Sequence, residues 1–160
     1  MAVFGATFTK EQIYMGLTAP DDKSLLKCIS ERMKNQGLVA ETFSQGVVQR
    51  EEIYPTGLPT MGLGVAMPHT DGIHVKEESF SVSLLKEPVI FREMGNPTGT
   101  VLVHIVFTLA LKDNHLQLHM LQGIVAMIQK PEFLEALYRE TDRVRAYEMI
   151  LTELEKVSLE

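Results

Sequence analysis

Five histidines stand at positions 69, 74, 104, 115 and 119, and the setting of His69 is the one best suited to chemistry. It follows Gly62-Leu63-Gly64-Val65-Ala66-Met67-Pro68, which reads as a short strand whose closing proline fixes the backbone just before the imidazole. Thr70-Asp71-Gly72 then makes a polar, turn-prone stretch. A histidine on a loop at the end of a buried strand is held rigidly and still reaches solvent, as reactive side chains often do. A neutral imidazole is also a good nucleophile at neutral pH, because unperturbed histidine titrates near about 6.5. On these local features alone, a turn histidine of no chemical consequence remains a slightly better reading.

The other candidates read more plainly. His115 and His119 are four residues apart, so a helix puts both on one face, a spacing that can hold a metal. Only Leu116-Gln117-Leu118 lies between them, with no carboxylate, and the expectation is one surface and one partly buried histidine with no metal bound. His104 interrupts an apolar run and reads as a hydrogen-bonded core residue. His74 is either a neighbour of the His69 loop or a surface group that tunes local charge. Cys28, the single cysteine, permits no intrachain disulfide and reads as a buried thiol beside Ile29.

Several elements must position these residues. The first ten residues read as a loosely ordered lead-in, and residues 11–17 as a strand with Ile13, Met15 and Leu17 on one face. Pro20-Asp21-Asp22 is a helix-start signal ahead of Leu25, Leu26, Ile29 and Met33, and Asn35-Gln36-Gly37 ends that helix. A second helix over about 41–52 turns Phe43, Val47 and Val48 inward and closes at Pro55-Thr56-Gly57. Short strands follow at 63–67, at Phe80, Val82 and Leu84, and at 88–91. Residues 100–110 are almost wholly apolar and predict a central strand covered on both faces. A helix from His115 repeats Leu118, Leu121, Val125 and Ile128; Pro131 separates it from a short helix over 132–138. A last helix after Thr141 buries Val144, Tyr147, Ile150, Leu151 and Leu154. This order predicts one α/β domain over 1–160, its core at about 11–157: a three-layer α/β/α arrangement around a mixed sheet.

Composition narrows the class. The chain has 160 residues, 45% of them hydrophobic and 22% charged, the balance of an ordinary globular domain. A net charge of −6 with no basic tract argues against a nucleic-acid or anionic-membrane partner. The first five residues lack the pattern of a signal peptide, and the 101–111 run is too short to span a bilayer, so the chain reads as cytoplasmic.

The run Gly64-Val65-Ala66-Met67-Pro68-His69 resembles the phosphorylation-site signature of the fructose–mannitol family of enzyme IIA proteins of the sugar phosphotransferase system. Arg50-Glu51 and Pro55-Thr56-Gly57 upstream fit that family, as do Pro88-Val89-Ile90-Phe91, His115-Leu116 and Pro131-Glu132-Phe133 downstream. The resemblance covers about residues 20–155. Met67 departs from it, standing where the family more often has a β-branched residue. His74, five residues after His69, is similar to the galactitol-type branch.

The resemblance implies a phosphotransferase/anion-transport-like fold and a phosphoryl carrier without cofactor or metal. His69 would take the group on Nε2 from HPr and pass it to a cysteine of an enzyme IIB. The membrane IIC component would be reached only indirectly, and the sugar would be galactitol or a relative. Arg50 and His115 match the family positions beside the phosphohistidine. Arg50 offers a fork of donors for phosphate oxygens, and His115, in a first helical turn, lies near backbone N–H groups that favour phosphate. Met61, Leu63 and Met67 are candidates for partner contact. A regulatory, nitrogen-related IIA that binds a target protein is the alternative; neighbouring IIB and IIC genes would distinguish the two. A histidine-based hydrolase or metalloenzyme is disfavoured, since no serine elbow, metal-ligand motif or carboxylate pair stands at a recognisable spacing.

Overall fold

The computed structural model describes residues 2, 3 and 5–158; Met1, Phe4, Leu159 and Glu160, counted within the expected domain, lie outside the described residues. The chain opens with two short strands, β1 (Ala2–Val3) and β2 (Ala6–Thr7), and a 3-10 turn at Lys10–Gln12. Strand β3 (Ile13–Leu17) precedes helices α1 (Asp22–Asn35) and α2 (Phe43–Ile53). Strands β4 (Gly57–Leu58) and β5 (Gly64–Ala66) come next, then a 3-10 turn at Gly72–His74 and the long strands β6 (Ser79–Glu93) and β7 (Asn96–Ala110). Helices α3 (Asn114–Ile128), α4 (Pro131–Arg139) and α5 (Arg143–Ser158) complete the chain.

An antiparallel hairpin of β6 and β7 forms the centre of a seven-stranded mixed sheet. The free edge of β6 takes β2 and β3 in parallel, and β7 takes β5 in parallel. Because β5 pairs with Val103–Val106, with a slip between Gly64 and Val65, the chain just after it runs on beside β7. Helices α1 and α2 cover one face over Tyr14, Phe91, Val103 and Val106. Helices α3, α4 and α5 cover the other over Phe80, Val82, Ile105 and Phe107. The arrangement is the expected three-layer α/β/α fold with a mixed sheet. Alternation along β6 explains the two cores: Phe80, Val82 and Leu84 face α3–α5, while the fully buried Ser79, Ser81 and Ser83 alternate with them.

Helix starts follow local chemistry. The Asp21 carboxylate accepts a hydrogen bond from the Ser24 N–H at 2.8 Å and caps α1, and Pro131 occupies the first turn of α4.

Several expectations change. The lead-in is not loose at Ala6 and Phe8, which are fully buried, Phe8 stacking on Phe80 at 4.1 Å. Strand β3 does not keep one face. Gly16 adopts φ 71°, the ladder slips between Met15 and Leu17, and Leu17 joins Tyr14 toward α1 while Ile13 faces the opposite core. The segments expected as separate strands at 80–84 and 88–91 are one strand, β6, with an irregularity between Leu84 and Val89. Leu118, Val125 and Val144 are exposed; α3 instead buries Met120, Ile124, Met127 and Ile128, because its apolar residues run round more than one face. Cys28 is half-buried rather than buried.

Candidate active site

His69 stands three residues past the end of β5, and the chain there is still tied to the sheet: the Leu109 N–H donates to the Pro68 carbonyl at 3.0 Å. The imidazole is half-buried. Its Nδ1 lies 2.9 Å from the Met67 carbonyl oxygen. A carbonyl can only accept, so Nδ1 carries the proton and Nε2 presents a lone pair. Burial holds the imidazole below the ordinary value of 6.5; the Met67 carbonyl works against that shift, and the nearby Arg50 charge adds to it. The surroundings favour the neutral ring and leave the Nε2 lone pair open.

The lowered proton affinity has a pH consequence. As pH falls through about 6.5 the unfolded chain takes up the proton before the folded one, so stability from the neutral buried ring is present above that pH and lost below it. His69 itself is expected to stay neutral to a pH below 6.5, the value shown by exposed reference histidines. A two-dimensional NMR titration of the ring nitrogens reads this directly; a His69 midpoint at or above 6.5 would contradict the environment described.

Arg50 lies in the last turn of α2, half-buried, with its guanidinium 5.1 Å from the ring centre of the exposed Tyr54. Its charge acts on His69. Next to it Glu51 points inward and is buried, accepting from the Thr56 N–H at 2.6 Å and from the Thr56 hydroxyl at 2.8 Å. Burial pushes the Glu51 carboxyl upward, and the two Thr56 bonds restrain the rise. Arg92 donates to the backbone carbonyls of Glu51 and Glu52, holding the end of α2 against β6.

His115 is exposed in the first turn of α3. Asp113 caps this helix by accepting from the N–H groups of His115 at 2.7 Å and Leu116 at 3.1 Å. Those two donors are thereby occupied, which corrects the expectation that backbone N–H groups here serve phosphate; the His115 side chain is what remains available. Packing of Gly72 on Lys112, where an added Cβ would fall 2.9 Å from the Lys112 Cα, lays the start of α3 beside the loop that follows His69. Among the described residues no hydrogen bond joins His115 to His69.

His74 proves to be an anchor of that loop. Its Nδ1 bonds the Thr42 hydroxyl at 2.8 Å, and its carbonyl accepts from the Ala40 N–H at 2.8 Å. Gly46 on α2 allows this approach, since a Cβ there would lie 3.0 Å from both the His74 ring and the Thr70 hydroxyl. The loop and the helix carrying Arg50 are thus fitted to each other. His104, expected to be hydrogen-bonded, instead has its buried Nδ1 without a partner among the described residues and sets its ring edge-on to Tyr138 at 5.2 Å; it is the residue skipped where the β5–β7 ladder slips. His119 is exposed rather than partly buried. Thr56 and Glu51 were visible only as parts of a motif; the apolar surroundings of Glu51 carry no signal that it turns inward.

A neutral nucleophilic nitrogen at a strand end, with a guanidinium acting on it, is the equipment of a group-transfer protein built on a three-layer α/β/α fold. The chain belongs to the family described as phosphoenolpyruvate-dependent sugar phosphotransferase system, EIIA 2, whose model matches residues 6–153, and it is a sugar phosphotransferase component of that type. It is 27% identical over 122 residues to the galactitol-specific EIIA component of Escherichia coli K12, covering 76% of this chain and 81% of that protein. A PTS IIA (PtxA) structure from Streptococcus mutans superposes with a TM-score of 0.73 at 25% identity, covering 94% of this chain and 92% of that one. The Escherichia coli complex of enzyme IIA and phosphorylated enzyme IIB for mannitol shares the fold, with a TM-score of 0.74 at 18% identity over 94% of this chain and 98% of that one. Among the described residues no helix is long and apolar enough to cross a membrane.

Proposed function

We propose that the chain takes a phosphoryl group from phosphorylated HPr on Nε2 of His69 and passes it to a cysteine thiolate of an enzyme IIB. The carrying observation is the 2.9 Å bond from Nδ1–H to the Met67 carbonyl, which leaves the Nε2 lone pair free. In the first step that pair forms the new N–P bond while the donor's N–P bond breaks and its electron pair returns to the donor nitrogen. The ring gains positive charge, which the Met67 carbonyl stabilises through Nδ1–H. In the second step a thiolate attacks phosphorus and the electron pair returns to Nε2. Charge spreads over three equatorial oxygens in each transition state, so positioning and cationic donors do most of the work. Arg50 supplies such a cation, and His115 orients the group without accepting it.

The residues read from sequence as candidates for partner contact differ in exposure. Met67 is buried, Leu63 is half-buried and Met61 is 91% exposed beside an apolar groove of about 540 Å³ lined by Leu58, Met94, Val125 and Ile128. Tyr54, Ile73 and Leu118 are exposed on the three segments that carry Arg50, follow His69 and follow His115. These apolar residues suit transient docking, and the galactitol-specific relative together with the mannitol IIA–IIB complex supports an enzyme IIB of a polyol system as the acceptor.

Single-turnover transfer to IIB tests this reading. The phosphorylated protein is expected to lose its group to a IIB cysteine, and His115→Ala to be phosphorylated still but to transfer onward roughly 10- to 100-fold more slowly. Phosphorylation without transfer to any IIB would favour a regulatory protein instead. Loss of phosphorylation in a folded His115→Ala would contradict the division of labour between the two histidines.

A further inference from the structure

We propose that Glu51 and Thr56 are positioning residues for phosphoryl transfer, holding the Met67 peptide so that its carbonyl keeps the proton on Nδ1 of His69. This inference rests on the reading that His69 carries the phosphoryl group.

Three consecutive contacts make the case. The buried Glu51 carboxylate accepts both Thr56 donors, N–H at 2.6 Å and Oγ1–H at 2.8 Å. With its hydrogen committed to Glu51, the Thr56 hydroxyl offers its lone pairs, and one accepts from the Met67 N–H at 3.2 Å. The Met67 carbonyl, at the other end of the same residue, accepts from His69 Nδ1 at 2.9 Å. Thr56 also lies one residue before β4, whose ladder pairs Gly57 with Ala66 and Leu58 with Val65, so the Met67 contact extends an existing register by one step.

A carboxylate suits this place better than its neutral isostere. Thr56 presents two donors to Glu51, and a carboxylate accepts on both oxygens, whereas an amide offers one oxygen and one NH₂. With glutamine there, the Thr56 hydroxyl must turn round to accept from the amide, and its own hydrogen then competes with the Met67 N–H for space. Burial of a carboxylate beside fewer than two donors would be costly, and the two Thr56 donors offset that cost here. The Arg92 guanidinium, on the backbone carbonyls of Glu51 and Glu52, acts on this carboxyl to favour its charged form.

The test compares Glu51→Gln, Thr56→Val and Thr56→Ser with the native full-length chain. Nitrogen-15 NMR at a pH above the His69 midpoint reads the ring tautomer, and rapid-quench phosphorylation by phospho-HPr reads the rate. The native ring is expected to be Nδ1–H. Glu51→Gln and Thr56→Val are expected to show a mixture of tautomers and a roughly 3- to 10-fold slower transfer, the scale of one misaligned hydrogen bond. Thr56→Ser, which keeps both donors and the acceptor, is expected to restore the native tautomer that Thr56→Val loses; a residue acting only through fold stability would not give that pattern. An unchanged tautomer in folded Glu51→Gln and Thr56→Val, or a changed tautomer with native transfer rates in both, would overturn the proposal. A native chain that phospho-HPr does not phosphorylate would remove the carrier reading and with it any role of these residues in transfer, while the tautomer data would still report the hydrogen-bond chain separately.

Discussion

His69→Gln is expected to fold and to accept no phosphoryl group. The glutamine amide can donate to the Met67 carbonyl as Nδ1–H does, and the half-buried site loses only part of a ring. The anchors around it, from Leu109 to Pro68 and from Thr42 to His74, are untouched. Melting temperature should therefore stay within about 4 °C of the native value, the shift that roughly 1 kcal/mol gives a domain of this size. An amide nitrogen has no available lone pair, however, so intact mass after incubation with phosphoenolpyruvate, enzyme I and HPr should show no adduct. A surviving stoichiometric adduct would mean that another side chain is the acceptor.

Arg50→Ala carries the second large effect. Removing a cation aimed at developing charge costs typically about 10²–10³ in rate, and Arg50 is the arginine whose charge is felt at His69. The same change should raise the His69 midpoint, since the guanidinium works to lower it. Stability should move little, because the contact that the structure gives the Arg50 guanidinium among the described residues is with the exposed Tyr54 ring. Arg50→Lys keeps the charge and loses the fork, and an intermediate loss of roughly 10-fold is expected. Quenched-flow kinetics and a ring-nitrogen titration on the same variants check both effects. Native transfer rates in Arg50→Ala would remove it from the site.

The residues themselves foretold the layers and the strand end that carries His69. Proline after an apolar run, capped helices and the serine-alternating strand at 79–83 each have a local physical cause, so they were legible without tertiary information. The facing of α3 was not. Its residues are apolar on several sides, and only packing against α5 and the sheet selects Met120, Ile124 and Met127 over Leu118 and Val125. The flip within β3 was hidden too, because a bulge at Gly16 breaks the period-two pattern that sequence reading assumes.

At the site, His69, Arg50 and His115 could be named from the motif and its spacing. How they are held could not. That Asp113 caps α3 and occupies the His115 and Leu116 N–H groups is a matter of geometry. His74 was ambiguous because its partner, Thr42, lies 32 residues away. Glu51 was visible only as part of the Arg50-Glu51 motif, and only the turn back at Thr56 shows why it faces inward.

Whether Nε2 of His69 carries the phosphoryl group is read by nitrogen-15 and phosphorus-31 NMR of the enzymatically phosphorylated chain. A single phosphohistidine is expected, with phosphorus coupled to Nε2 of His69 and the proton retained on Nδ1. Coupling to Nδ1, a phosphoryl group on another histidine, or no phosphohistidine at all would contradict it.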